Sequence, residues 1–281
     1  MGRGSQETVR GFVPVPETGR QYRTVRKVRL GDVRASGRLR LDALARYLQD
    51  VANDDAMDAE LDGAMSWVVR RVTIAVYQWP VFADHVELVT FCGAIGSRFA
   101  ERRTSILVDG VLRADADALW VFFDPASGRP AVLGPQFLQI YGEAAGGRRA
   151  SSRLTHPAPP DGARRRPWPQ RTTDYDLLGH TNNAIGLAAV EEVVGEGGVP
   201  AEVEVEYRDA IEPGDEVHLV TAAANGRDLE GQRQAIGPAS DLPSVALWLT
   251  VAGQVRFSAR MLGAGLDTGL GAGLETDLGA G

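Results

Sequence analysis

The sequence predicts an α+β protein made of two similar halves, and three observations lead to this prediction. The chain has 281 residues, which suits two compact domains of roughly 120 residues each, with a core in each. A helical period runs through Leu41, Leu44, Leu48 and Val51, and segments of strand type surround it. The same order, a strand, a helix and an antiparallel series of strands, begins again near residue 169.

The first half, residues 21–145, is predicted to contain one long helix enclosed by strands and closed by a short helix. Residues 1–20 precede it, are rich in Gly, Arg and Pro without periodicity, and are predicted to be a flexible leader. The strands are expected at 21–30, 67–77, 85–94, 99–108 and 112–123, and the short helix at 135–143.

Residues 146–168 are predicted to be a linker rich in Arg and Pro, either a solvated crossing segment or a docking patch for an acidic partner. The second half, residues 169–261, should begin with a short strand that ends near Thr173. A helix is expected at 181–194, strands at 202–207, 216–223, 244–251 and 254–260, an extended loop at 225–243, and a Gly-rich disordered tail at 262–281.

Composition excludes several classes of function. The chain has 37 acidic and 30 basic residues, a net charge of −7, which argues against a nucleic-acid-binding protein. A single cysteine, Cys92, rules out an intrachain disulfide and fits a reducing compartment. No secretory signal is visible and no apolar run approaches the ~20 residues of a membrane span. We therefore expect a cytoplasmic protein, and, because no ligand cluster or dinucleotide fingerprint is present, no metal or organic cofactor.

The segment 173–183 concentrates two acids, one histidine and two asparagines between a strand and the start of a helix. The first amides of a helix lack internal partners and lie at the positive end of its dipole, so a thioester carbonyl placed there would be polarised. A purely structural interpretation is a turn in which Asp174 or Asp176 accepts loop amides, Gly179 supplies an unusual backbone angle and Thr181 caps the helix.

The pattern Asp-x-Asp-x-x-Gly-His-x-Asn-Asn at residues 174–183 resembles the signature of the hotdog thioesterases, including the acyl-ACP thioesterases. In addition, the helix at 41–52 followed by Trp67 and a strand resembles the N-terminal repeat of acyl-ACP thioesterases. The resemblance covers roughly residues 20–260. It implies a double (tandem) hotdog fold, in which each repeat wraps an antiparallel sheet around a long central helix. It also implies a thioesterase that releases a fatty acid from acyl-ACP, with the acyl pocket in the first repeat and acyl carrier protein as the partner.

An internal comparison indicates a single active site. When Gly37 is set opposite Gly179, the first half retains the turn but lacks the acid, the histidine and the two asparagines, so the second half is expected to carry the site. The matched positions are Asp32 with Asp174, Arg34 with Asp176, Arg38 with His180, and Arg40 and Leu41 with Asn182 and Asn183.

Roles follow from the resemblance and from the needs of thioester hydrolysis, which are a base or nucleophile and an oxyanion site. Asp176 is the expected carboxylate, by water activation or by direct attack. His180 would orient water or substrate or assist proton transfer. Asn182 completes the expected catalytic set. The residues expected to bind substrate or support the loop are Asp174, Gly179 and Asn183.

The sequence departs from the plant-type pattern at three places. Leu178 and Gly186 stand where that pattern often has Asn and Tyr, and its Glu-Cys pair falls at Ala210 and Ile211. Two nearby acids, Asp209 and Glu212, are therefore candidates for an auxiliary acid.

Three alternatives to the acyl-ACP thioesterase stay open at this stage: an acyl-CoA thioesterase of the same fold, a degenerate acyl-binding protein without activity, and a hydratase, which is disfavoured because no Gly-Asp-x-Asn-Pro-x-His pattern is present. A monomer, as an internal pseudo-dimer, or a homodimer is expected. Carrier protein is strongly acidic, so arginines of the linker, or Arg70, Arg71, Arg102 and Arg103, could steer it.

Overall fold

A computed structural model describes residues 12–61, 66–124, 126–195, 198–224 and 244–266. These residues have an α+β architecture that fits the expected hotdog-like class. Within them, no helix combines the length and the apolar character that crossing a bilayer requires. The helices are α1 (Leu41–Asp58), α2 (Pro135–Ala145) and α3 (Asn183–Val194). The strands are β1 (Gln21–Lys27), β2 (Trp67–Val76), β3 (His85–Ile95), β4 (Phe99–Val108), β5 (Val111–Asp124), β6 (Arg129–Pro130), β7 (Arg164–Pro167), β8 (Gly198–Tyr207), β9 (Val217–Ala224), β10 (Ser244–Val251) and β11 (Gln254–Leu266).

The strands form one antiparallel sheet in the order β1-β3-β4-β5-β2-β8-β11-β10-β9-β7. The second five strands repeat the order of the first five in reverse, so the two halves meet at β2 and β8. This central pair runs from Arg71 opposite Glu206 to Ala75 opposite Glu202. The predicted recurrence of strand, helix and antiparallel strands is therefore confirmed, and the two long helices, α1 and α3, contact each other.

The hydrophobic core is continuous through both halves. Leu44 of α1, Leu187 of α3 and the β8 residue Val205 belong to a single buried cluster. Complete burial of a leucine side chain contributes about 1.5–3 kcal/mol, so the shared cluster couples the stability of the two halves. The expectation of two separate cores is wrong, because β2 pairs with β8 and α1 packs on α3.

The linker is fixed to the sheet around His156, although most of its residues are exposed. Glu206 of β8 accepts the backbone N–H groups of Thr155 and His156. The His156 ring is 4% exposed, and its Nε2 lies 3.1 Å from Glu204 Oε1. The Trp248 indole donates to the carbonyl of residue 157 at 2.9 Å. Glu204 and Glu206 of β8 therefore contact this segment. Most of the segment, including Arg153, Arg164 and Arg165, is exposed, in agreement with a solvated crossing segment.

Several predicted boundaries also change. Residues 12–20 are not a free leader, because Phe12 is buried beneath the guanidinium of Arg103 and Arg20 lies 2.7 Å from the carboxylate of Asp55. The strand expected to end near Thr173 is β7, four residues within the predicted linker. The last strand continues through Leu266, five residues into the predicted tail. Residues 1–11, 225–243 and 267–281 lie outside the described part of the chain.

Candidate active site

The loop that leads into α3 is anchored by Asp174. This residue ends a 3-10 turn at Thr172–Asp174, is 3% exposed, and accepts the N–H of Arg171 through its side chain at 2.8 Å. Its carbonyl accepts the N–H of Asn182 at 2.8 Å. All of these bonds lie within the loop, so Asp174 supports the loop.

Asp176 carries a half-buried carboxylate with a fixed orientation. One of its oxygens accepts the N–H of Leu178 at 2.9 Å and the other accepts the Asn182 side-chain amide at 3.3 Å. Its backbone N–H donates to the carbonyl of His180 at 3.0 Å, and its carbonyl accepts the N–H of Gly179 at 2.9 Å. Gly179 has a φ of 77°, a left-handed conformation that glycine adopts without steric cost.

Asn182 connects this carboxylate to α3. It is the N-cap residue, and its Oδ1 accepts the N–H of Ala184 at 2.9 Å while its Nδ2 donates to Asp176. The next residue, Asn183, accepts the Tyr207 hydroxyl through its carbonyl at 3.0 Å. Among the described residues, the backbone N–H of Asn183 has no hydrogen-bond partner. It is one of the unpaired amides that a helix N-terminus leaves available.

His180 lies beside Glu212, with 3.2 Å between Nε2 and Oε1, and both side chains are about half exposed, at 44% and 55%. Thr181 donates its N–H to the carbonyl of Ile211 at 3.0 Å and so holds the two loops together. Asp209 instead pairs with Arg256. Of the two candidate auxiliary acids, the structure therefore brings Glu212 to the histidine.

Two cavities meet at this loop. The first, about 230 Å³, lies between α1, α2 and the sheet of the first half. The second, about 290 Å³, lies between the loop and the central strands β2 and β8. The residues that line both cavities are Trp67, Asp176, Leu178, Asn182 and Asn183. A ligand that extends from one cavity into the other passes the Asp176 carboxylate.

The first cavity has apolar walls and a charged cluster at one side. Arg102 lies 2.5 Å from the carboxylate of Asp55, and the Tyr141 hydroxyl donates to the same carboxylate at 2.9 Å. Sequence reasoning missed this cluster, although Asp55 follows Val51 by four residues and therefore lies on the apolar face of α1.

Cys92 also lines the cavity, but burial raises the pKa of its thiol to about 12, which leaves it protonated and a poor nucleophile.

The first half contains the same turn without the same chemistry. Gly37 has a φ of 82°, and Arg34 donates its N–H to the carbonyl of Arg38 at 2.9 Å, as Asp176 does to His180. The internal equivalence of the two loops is therefore confirmed. Two further pairs of hydrogen bonds match. The N–H of Arg40 donates to the Asp32 carbonyl, as that of Asn182 does to the Asp174 carbonyl. The N–H of Arg29 donates to the Asp32 carboxylate, as that of Arg171 does to the Asp174 carboxylate.

A carboxylate from the other half occupies this turn of the first half. Glu191 of α3 lies 2.6 Å from Arg34 and 2.8 Å from Arg38. Its Oε1 also accepts the N–H of Leu41, the first residue of α1, at 2.6 Å. The arginines that replace Asp176 and His180 thus hold an internal anion.

The expectation that Arg102 and Arg103 steer an acidic partner is wrong. Arg102 pairs with Asp55, and Arg103, which is 2% exposed, pairs with Asp115 at 3.1 Å. Buried, paired guanidinium groups contribute little to the field outside the protein. Three other arginines line the second cavity, namely Arg70, Arg208 and Arg256.

Comparison with known proteins supports the fold and matches the first half of the chain to one family model. Residues 19–141 match the model of the acyl-ACP thioesterase N-terminal domain. Two uncharacterized proteins of Mycobacterium tuberculosis, one from each of two strains, are 26% identical to the chain over 208 residues, which is 73% of this chain and 83% of each relative. The family match ends before the loop that contains Asp176.

Three solved structures share the fold over most of their length. A proposed oleoyl thioesterase from Lactobacillus plantarum has a TM-score of 0.74 at 17% identity, over 90% of this chain and 99% of that one. A 12:0-ACP thioesterase from Umbellularia californica has a TM-score of 0.68 at 18% identity, over 86% and 96%. An acyl-ACP thioesterase from Bacteroides thetaiotaomicron has a TM-score of 0.66 at 15% identity, over 86% and 97%.

Proposed function

We propose that the chain, whose residues 19–141 match the acyl-ACP thioesterase N-terminal domain, hydrolyses fatty acyl-ACP to free fatty acid and ACP. The observation that carries this proposal is the Asp176 carboxylate, which two hydrogen bonds hold where the two cavities meet. A thioester positioned at that point would have its acyl chain on one side and its carrier on the other.

The two halves are interpreted as tandem hotdog repeats. Support comes from the reversed strand order on either side of the β2–β8 pair, the packing of α1 on α3, and the repeated turn at Gly37 and Gly179. Because the tandem pair supplies both repeats in one chain, we expect a monomer, with a homodimer as the alternative.

The acyl chain is assigned to the first cavity and the carrier end to the second. The first has apolar walls that include Ala52, Ala56 and Phe137, and transfer of a methylene from water to such a site contributes about 0.8 kcal/mol. The second is lined by the three arginines Arg70, Arg208 and Arg256. ACP and coenzyme A both carry a phosphate next to the pantetheine arm, and arginine recognises that group well.

In the proposed reaction, Asp176 removes a proton from water as the water oxygen attacks the thioester carbonyl. The resulting oxyanion is stabilised by the unpaired N–H of Asn183 and by the positive end of the α3 dipole. The first half supports this role, because there the equivalent N–H of Leu41 binds a carboxylate oxygen at 2.6 Å. Collapse of the intermediate breaks the C–S bond and releases the fatty acid and the thiolate.

His180 and Glu212 are assigned to the leaving group. The carboxylate of Glu212 lies 3.2 Å from His180 Nε2, so it orients the imidazole for proton transfer. The imidazole would protonate the departing thiolate, while Asp176 returns its proton to solvent.

A location in the cytoplasm fits a buried, free Cys92 and the proposed carrier.

The test is release of free thiol from a panel of acyl-ACP and acyl-CoA substrates by the wild type, Asp176→Asn and His180→Ala. Loss of a general base lowers kcat by about 10²–10⁴-fold, and we expect that range for Asp176→Asn. Asp109→Asn, an exposed acid in the turn after β4, is the matched control and should retain full activity. After one turnover in ¹⁸O-labelled water, label in the Asp176 side chain would indicate direct nucleophilic attack instead.

Competition between the two carriers at equal acyl chain decides the substrate. A preference for acyl-CoA would favour the alternative of an acyl-CoA thioesterase of the same fold. Acyl binding without turnover on any member of the panel, by well-folded wild type, would refute hydrolysis and favour the non-catalytic acyl-binding alternative.

A further inference from the structure

The turn of the first half and the turn of the second half differ in what approaches them from the opposite helix. In the first half, Glu191 of α3 reaches the turn and binds Arg34, Arg38 and the N–H of Leu41. The spacing that aligns Gly37 with Gly179 also aligns Glu191 with Gln49 of α1. The reversed strand order places α1 opposite the second turn as α3 is opposite the first.

The position of Gln49 agrees with this relation. Gln49 lines the first cavity together with Asp176, Asn182 and Asn183. It is half-buried, and within the described part of the chain its side-chain amide makes no hydrogen bond. The bond equivalent to Leu41 N–H with Glu191, which would join Asn183 N–H to Gln49, is not formed. Both residues line the first cavity.

We propose that Gln49 is a further catalytic residue, whose side-chain N–H donates a hydrogen bond to the thioester carbonyl oxygen opposite the N–H of Asn183. In the first half, a carboxylate oxygen fills the position in front of the helix amide. In the second half, the side chain at the same helical position is a neutral amide that lines the cavity, which leaves the position in front of the helix amide for the oxygen of the substrate. An amide, unlike a carboxylate, can donate to an oxygen that becomes negative during the reaction.

This inference rests on the proposed hydrolysis and adds one residue to it. Charge explains why glutamine suits the position. A glutamate here would repel both the Asp176 carboxylate and the developing oxyanion, whereas Glu191 in the first half faces two arginines. At this equivalent position, the first turn is therefore approached by the charged Glu191, which suits its two arginines. The second turn is approached by the neutral Gln49, which suits a loop that carries a carboxylate.

The experiment compares wild type, Gln49→Leu and Gln49→Glu, with Gln78→Ala as the control. Gln78 is exposed in the turn after β2 and lines neither cavity. Loss of one oxyanion donor lowers kcat by about 10²–10³-fold, and we expect Gln49→Leu to lose about 100-fold while KM changes little. Gln49→Glu should also lower kcat, because its negative charge repels the developing oxyanion.

Two inert analogues separate a contact with the carbonyl from a general effect on the cavity. One is an acyl-carrier ketone, which keeps the carbonyl and replaces the sulfur with CH₂, and the other is the thioether, which has no carbonyl oxygen. Gln49→Leu should weaken binding of the ketone by about fivefold and leave binding of the thioether unchanged.

The outcomes distinguish this inference from the function on which it rests. Wild-type turnover that depends on Asp176, together with a Gln49→Leu rate within threefold of wild type, would overturn the role of Gln49 alone. Equal weakening of both analogues would also overturn it, because the side chain would then only shape the cavity. Absence of wild-type turnover would instead overturn the proposed hydrolysis. Circular dichroism and thermal unfolding verify that each variant is folded.

Discussion

Glu191 offers the sharpest test of how the two halves hold together. Its side chain is 7% exposed and lies 2.8 Å from that of Arg38, which is 3% exposed. Glu191→Gln removes the charge with almost no change in volume and leaves a buried guanidinium without its anion. Removal of one partner from a buried ion pair costs about 3–5 kcal/mol, which is a large part of the 5–15 kcal/mol typical of a folded domain.

The adjacent residue provides the control. Glu192 pairs with Arg166, and these two side chains are 49% and 41% exposed. An exposed ion pair contributes about 0–1 kcal/mol, so Glu192→Gln should change stability by less than that. Both variants are to be measured by urea unfolding at pH 7, followed by tryptophan fluorescence and circular dichroism. Losses for Glu191→Gln and Glu192→Gln that agree within 1 kcal/mol would refute the argument from burial.

Three further predictions concern packing, pH and substrate length. A Cβ at Gly186 would lie 2.4 Å from the ring of Phe257, so Gly186→Ala should lower the stability by about 1–3 kcal/mol. The control is Gly142→Ala, which has open space around it and should be neutral or stabilising in thermal unfolding. Burial and the charge of Glu101 raise the pKa of Asp117 to about 7. The stability that comes from the protonated form is therefore lost as the pH rises from about 4 to 7. The free energy of unfolding of Asp117→Asn should exceed that of wild type by roughly 2–4 kcal/mol at pH 8 and equal it at pH 4. A pH-independent difference would contradict that assignment. Ala100 lines the first cavity, so Ala100→Leu should move the preferred acyl chain to shorter lengths in the thiol-release assay, and an unchanged length profile would place the acyl chain elsewhere.

The sequence predicted the elements well because their signals are local. The period through Leu41, Leu44 and Leu48 becomes the buried face of α1, and the turn at Gly37 and Gly179 recurs because both positions require a left-handed backbone. The same local reasoning predicted that Asp174, Asp176 and Asn182 converge, since all three lie within one loop.

The errors concern contacts between residues that are distant in sequence. Glu206 alternates with apolar residues in β8, a pattern that predicts a solvent face, but it accepts backbone N–H groups of residues 155 and 156. Nothing in the neighbourhood of Glu191 indicates that it binds arginines in the first half, and the same holds for Arg102 with Asp55. Such pairs depend on how the halves meet, and the period of a single segment carries no information about that.

The departures at Gly186 and Ala210 have different structural meanings. Gly186 lies against the Phe257 ring, with no room for a side chain, so a tyrosine could not occupy that position without displacing the core. Ala210 lines the second cavity, and two residues later Glu212 lies 3.2 Å from His180 Nε2. The first departure is therefore explained by helix packing, and at the second the loop still carries a carboxylate, two residues further along.

The two turns together indicate how one repeated structure supports stability in one half and chemistry in the other. Both turns present a helix amide to an anion. In the first half that anion is Glu191, a permanent part of the chain, and two arginines compensate its charge. Among the described residues of the second half, no anion binds the amide of Asn183, and Gln49, which lines the same cavity, is neutral. A site that stabilises a transient negative charge has to be vacant and preorganised before the reaction, whereas a site filled by its own carboxylate contributes only to folding. In the proposed site, the difference at one helical position, glutamate in α3 and glutamine in α1, distinguishes the reactive turn from the structural one.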